Sequence, residues 1–184
     1  CGQKTNESEN PFLAEFQTPY GTPDFSRIKV EHYEPAFLAG IDQQNEEIRT
    51  IVENADEPTF ENTIVALDKS GEILDRVSGV FFALTEADTN DQLMELETKF
   101  ASMLSEHSDN IYLNLDLYKR VAAVHDKEAE GKIQLTTEQH YLLDKYYKGF
   151  VRAGAALDSA KQARLREINK ELATLTIEFG NHVL

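Results

Sequence analysis

From Phe60 onward the apolar side chains return at steps of four, three, four, three, three, four and three, through Ile64, Leu67, Gly71, Leu74, Val77, Phe81 and Leu84. That rhythm places them on one face of a helix of 3.6 residues per turn. A strand would alternate, and no stretch of the chain alternates apolar and polar residues long enough to make one. The segment "PTFENTIVALDKSGEILDRVSGVFFAL" (58–84) is therefore expected to be one continuous helix with a buried stripe, capped by Thr59 after Pro58. Gly71 falls on that stripe, where glycine costs about 1 kcal/mol relative to alanine. A small residue there implies close approach by the backbone of a neighbouring helix.

The same period recurs elsewhere. A first helix is expected from Val30–Pro35, with Pro35 in the opening turn and Phe37, Ile41, Gln44, Ile48, Ile51 and Ala55 on one face. A third spans about Asp91 to His107, with Leu93, Leu96, Phe100, Met103 and Leu104 inward, and "SDN" closes it. "DTND" at 88–91 lacks the glycine and the glutamate of a calcium loop, so it reads as a helix-ending loop plus N-cap. A fourth helix, about Leu115 to Glu128, turns Leu117, Val121 and Val124 inward. The fifth opens on Thr136 with Gln139 three residues on, a capping-box pattern, and shows Leu143, Tyr146 or Tyr147, and Phe150 before running through "RAGAAL". The last, from Asp158 or Ser159 to Leu184, carries a stripe of Leu165, Ile168, Leu172, Leu175, Phe179 and His182 that is expected to be buried. Its pattern is still running at "NHVL", as in a piece cut from a longer protein. The expected fold is all-α, a multi-helix antiparallel bundle of six helices. Residues 1–27 form a polar tether and extended arm with apolar anchors at Phe12, Leu13, Phe16 and Phe25; residues 28–184 form the helical domain.

Chemistry is sparse. With 18 basic and 33 acidic side chains the formal charge is −15, the wrong sign for holding a phosphate backbone, so no nucleic-acid partner is expected. The five histidines, His32, His107, His125, His140 and His182, include no pair at i+3 or i+4, and there is no H-E-x-x-H. Each reads as an ordinary surface or helix-end residue. Tyr141, Tyr146 and Tyr147 read as core and rim packing rather than a groove. No catalytic residue and no metal ligand is assigned. One cysteine, Cys1, precedes the polar stretch "GQKTNESENP". This pattern resembles the mature end of a bacterial lipoprotein, which makes Cys1 a lipid attachment site and places the protein in the bacterial cell envelope, lipid-anchored or periplasmic, with a cytoplasmic location as the alternative. Any membrane contact would run through that lipid alone.

Three segments carry a wider resemblance. "IKVEHYEPAFLAGI" (28–41), the 58–84 segment and "RLREINKELATLTIEFGNHVL" (164–184) resemble successive segments of the thimet oligopeptidase family of zinc metallopeptidases, within it the bacterial peptidyl-dipeptidase (dipeptidyl carboxypeptidase) and oligopeptidase A branch. The resemblance covers residues from about 10 to 184, with the same order and gaps. It implies the helical N-terminal region of a larger, mostly helical metallopeptidase, in which this layer packs over a later catalytic portion. The two are separated by a deep channel that admits short, unstructured peptides. It further implies zinc in the full-length enzyme, held by an H-E-x-x-H helix and a downstream glutamate, with the glutamate of the motif as general base. None of those residues is in this sequence, so the segment alone is expected to be inactive and to bind no zinc. Its implied partners are the missing C-terminal catalytic portion and, through it, peptide substrates. The alternative from another class is a complete, non-catalytic helical lipoprotein module that binds peptides or a partner protein.

Overall fold

The structure, a computed structural model, describes residues 10–87 and 90–183, with side chains through 180. Among the described residues there are helices and no strand, as the periodicity predicts. Two short 3₁₀ turns, Pro11–Leu13 and Pro19–Gly21, precede α1 (Val30–Glu53). A π-helical turn, Phe60–Val65, runs into the single-turn α2 (Ala66–Asp68). Then follow α3 (Glu72–Ala87), α4 (Asp91–Tyr112), α5 (Leu115–Ala129), α6 (Thr137–Ala153) and α7 (Ser159–Val183). The chain divides into two compact units, residues 1–45 with 71–97, and residues 46–70 with 98–184.

In the first unit α1 and α3 run antiparallel. Tyr33 and Phe37 meet Phe81 at ring-centroid distances of 5.0 and 5.8 Å, and Gly40, further along α1, lies against Leu74, further back on α3. Phe12 is fully buried against Tyr33, at 5.3 Å, and Arg76 donates to the Phe12 carbonyl at 2.9 Å. The arm is thus anchored at Phe12 as expected, whereas Phe25 is largely exposed.

In the second unit the core gathers Ile48, Ile51, Phe60, Ile64, Leu67, Leu117, Val121, Val124, Leu143 and Phe150. The hairpin of α5 and α6 is antiparallel. Glu128 reaches His140 at one end, His125 stacks on Tyr147 in the middle, and Tyr118 faces Phe150 at the other. Both expected caps form. Thr59 Oγ1 accepts from the Asn62 N–H while Asn62 Oδ1 accepts from the Thr59 N–H, and Thr136 and Gln139 do the same for α6.

Three expectations are corrected. The 58–84 segment is not one helix, because Gly71 adopts φ +83° and stops it. That left-handed conformation is open to glycine and strained for other residues. The two halves of the stripe serve different cores: Ile64 and Leu67 belong to the second unit, Leu74, Val77 and Phe81 to the first. The close backbone approach inferred for Gly71 occurs at Gly40, where a Cβ would stand 2.9 Å from the Leu74 nitrogen. Second, "SDN" does not close α4, which continues to Tyr112 because Ile111 and Leu113 are wanted in the core. Third, Pro35 lies one turn inside α1 rather than at its opening turn.

Candidate functional site

Cys1, the one site residue assigned from sequence, lies outside the described residues, as do Asp88 and Thr89 and the side chain of His182. The other four histidines are dispersed. His32 accepts from the Lys29 N–H at 3.1 Å, His140 meets Glu128 at 2.9 Å, and His125 stacks on Tyr147 at 3.9 Å between ring centroids. Among the described residues no group of three or more His, Cys, Asp or Glu could hold a metal ion. The donor set among the described residues therefore does not fit a zinc site.

His107 departs from the surface reading, being 5% exposed. It lies in the interior of α4 because that helix runs further than its sequence suggested. Burial pushes its pKa below the ordinary histidine value of 6.5. The folded protein therefore resists protonation at a pH where the unfolded chain accepts it. Stability is unaffected above the ordinary value and falls as pH drops through 6.5 toward the lower folded pKa. Urea unfolding at a series of pH values should show the wild type losing more stability on acidification below pH 6.5 than His107→Leu does. Parallel pH profiles for the two would contradict this.

In the first unit a cleft of about 590 Å³ lies between the arm and α3, walled by Phe16, Pro23, Phe25, Arg76 and Val80. Arg76 is already engaged there by the Phe12 carbonyl and by Glu72, both at 2.9 Å. In the second unit Arg120 and Lys127 of α5 hold the loop ahead of the π-helical turn. Arg120 donates to the Asn54 carbonyl at 2.8 Å and to Asn62 Oδ1 at 3.3 Å; Lys127 donates to the Pro58 carbonyl at 2.8 Å and pairs with Glu57 at 2.7 Å. Tyr146 donates to Asp68 at 2.9 Å, while Tyr141 is exposed. These are structural contacts, in line with the packing reading of the tyrosines.

The surface that stands apart is α7. Sequence periodicity predicts a buried stripe along it, yet none of its described side chains is buried. The helix is hydrogen-bonded to the end of α4 and to Leu113 just beyond it. Gln162 donates to the Leu113 carbonyl at 3.3 Å, Arg166 to Asn110 at 2.9 Å and Asn169 to Asp109 at 2.7 Å, an antiparallel register. Glu106, Asp109, Asn110, Arg166, Glu167 and Lys170 line a charged cleft along this seam. The apolar stripe faces elsewhere: Ile168, Leu172, Leu175 and Phe179 are 38%, 55%, 50% and 72% exposed. At 3.6 residues per turn they lie roughly a third of the way round the axis from Gln162, Arg166 and Asn169. The stripe expected to be buried is thus exposed, whereas Phe150 on α6 is fully buried.

No protein-family model matches the chain. Among curated proteins it is 43% identical over 175 residues to dipeptidyl carboxypeptidase of Escherichia coli (strain K12), covering 95% of this chain and 25% of that protein. Its similarity to dipeptidyl carboxypeptidase of Salmonella typhimurium is 43% over 177 residues, 96% of this chain and 26% of the relative. To oligopeptidase A of Escherichia coli it is 28% identical over 175 residues, again 95% and 25%. The chain thus spans about a quarter of the length of the curated relatives it matches.

Proposed function

This chain is homologous to the amino-terminal quarter of dipeptidyl carboxypeptidase and of oligopeptidase A, and on that premise we propose that it is the helical, non-catalytic part of a zinc peptidyl-dipeptidase. The observation that carries this reading is the 43% identity to dipeptidyl carboxypeptidase across 95% of the chain, against 28% to oligopeptidase A. The zinc and its ligands belong to polypeptide beyond this quarter. The helices described here form a wall or lid over the peptide cleft. Their contribution to specificity is steric: a narrow cleft between rigid helical layers admits an extended peptide and excludes a folded protein.

The proposal predicts a mode of cleavage. The longer polypeptide should release dipeptides from peptides with a free C-terminus and leave C-terminally amidated copies largely intact, as followed by mass spectrometry of the products. Equal internal cleavage of both would place the protein with the endopeptidases instead. Among the described residues no helix is long and apolar enough to cross a membrane. The lipid anchor on Cys1, with a cell-envelope location, is proposed from the polar sequence that follows that residue. An unmodified Cys1 in the natively expressed protein, by mass spectrometry of its N-terminal peptide, would remove it.

A further inference from the structure

Two of the five histidines lie on the facing helices of the α5–α6 hairpin, outside its core. On α5, Tyr118, His125 and Glu128 recur at steps of seven and three; on α6, His140, Asp144 and Tyr147 recur at steps of four and three. Each set therefore shares one helix face. Leu117, Val121, Val124, Leu143 and Phe150 are fully buried, whereas these side chains are half-buried and His140 is exposed. His125 lies flat on Tyr147, with 3.9 Å between ring centroids and 7° between planes, and Tyr118 stacks on Tyr147 at 6.2 Å. His140 Nδ1 meets Glu128 Oε1 at 2.9 Å. His125 Nδ1 is enclosed without a hydrogen-bond partner and stands 3.7 Å from Asp126 Oδ1.

We propose that this seam is an acid-tightened clasp: when His125 and His140 take up protons, the hold of α6 on α5 strengthens. Histidine is the side chain whose charge ordinarily changes between about pH 5 and 8. The charged groups around the two rings favour the protonated forms. From α5 come Asp126 and Glu128. From α6 comes Asp144, whose carboxyl is held below its usual range first by the hydrogen bond from Lys148 and then by the charges of Lys148, His140 and His125. The nearby ammonium groups are matched already: Lys148 by Asp144 at 2.7 Å, Lys127 by Glu57 at 2.7 Å and Lys132 by Glu130 at 2.6 Å. Protonation turns the Glu128–His140 hydrogen bond into an ion pair. It also gives His125 a positive charge beside Asp126 and flat on the Tyr147 ring, whose face attracts a cation. The clasp is therefore strongest in acid and weakens as pH rises. His107 responds the opposite way, because its burial disfavours the charge. Acid thus loosens the interior around α4 while it closes the hairpin.

The test is hydrogen exchange of the complete polypeptide at about pH 5.5 and about pH 8, on either side of the histidine range, with each amide's rate divided by its intrinsic rate at that pH. It is read at the tip of the hairpin, where the amides of Glu130, Gly131, Lys132 and His140 donate to the carbonyls of Asp126, Glu128, Lys127 and Thr136. Exchange at such a tip follows local opening rather than global unfolding. Protection there should rise roughly two- to fivefold at the lower pH, the size expected of partly exposed ion pairs. His125→Phe/His140→Gln keeps a ring on Tyr147 and a donor toward Glu128 but takes up no proton, so its tip should be equally protected at both pH values. Glu128→Gln should lose most of the rise, because His140 then meets a neutral amide. Equal protection at the two pH values in the wild type would overturn the proposal, and so would a rise that persists in the double variant. The readout does not depend on catalysis, so the clasp stands or falls apart from the peptidase reading.

Discussion

Gly40→Val is expected to lower stability by about 3 kcal/mol, seen as a fall in the urea midpoint, because overpacking a tight contact typically costs about 1–3 kcal/mol. Gly40 is the point at which α1 and α3 come together. An added Cβ would lie 2.9 Å from the Leu74 nitrogen and 3.0 Å from its Cα. Those are backbone atoms of a helix, so they cannot swing aside as a side chain would. The helices must separate, and the Tyr33, Phe37 and Phe81 contacts along the same seam loosen with them. Gly40→Ala sets the same clash against a gain of about 1 kcal/mol in helix propensity, and the clash should win by a smaller margin. Gly79 in α3 is the control, since nothing lies within 4 Å of a Cβ built there. Gly79→Ala should stabilise by about 0.5–1 kcal/mol. If both alanine variants stabilised equally, the contact at Gly40 would not be tight.

Arg120→Met is expected to cost about 2 kcal/mol, because hydrogen bonds to charged groups are worth about 1.5–3 kcal/mol and a desolvated acceptor left behind adds to the loss. Arg120 is 9% exposed, and its guanidinium donates to the carbonyls of Asn54 and Asp56 and to Asn62 Oδ1. The Asn54 bond, at 2.8 Å, carries most of the effect; those to Asp56, at 3.4 Å, are weak. Methionine keeps the apolar stem and removes the head, so the loss reports the hydrogen bonds rather than a cavity. Arg120→Lys should recover only part of it, because an ammonium lacks the planar fork that spans two acceptors. Asn62 is also the reciprocal partner in the Thr59 cap, so Thr59→Ala and Arg120→Met should be non-additive.

What the sequence disclosed, and what it withheld, follows from which interactions leave a periodic mark. Apolar stripes and side-chain caps are local, so the helices and the caps at Thr59 and Thr136 were legible. The break at Gly71 was not. A glycine on an apolar stripe is consistent both with close packing and with a left-handed residue that ends the helix, and spacing does not separate the two. Arg120 drew no notice in the apolar pattern because it is charged, although it lies one position before Val121 on the same inward face of α5. His107 was assigned to a helix end because "SDN" resembled a stop. The stripe of α7 was read correctly as a stripe and wrongly as buried, because periodicity reports that a face is apolar and says nothing of what covers it. The signal that separates the cases lies in its other face, where Gln162, Arg166 and Asn169 recur at the same helical spacing.

The chemistry follows the same division. The described residues assemble a helical scaffold, and among them no metal-holding cluster forms. In the proposed enzyme they govern access, while bond cleavage is performed by zinc and its ligands elsewhere in the polypeptide. The most direct test expresses two proteins side by side, residues 1–184 and the complete polypeptide of the same gene. Each is assayed for bound zinc and for release of C-terminal dipeptides. The account predicts stoichiometric zinc and chelator-sensitive dipeptide release from the complete polypeptide, and neither from residues 1–184. Dipeptide release by residues 1–184 alone, or a complete polypeptide that holds no zinc and cleaves no peptide, would contradict it.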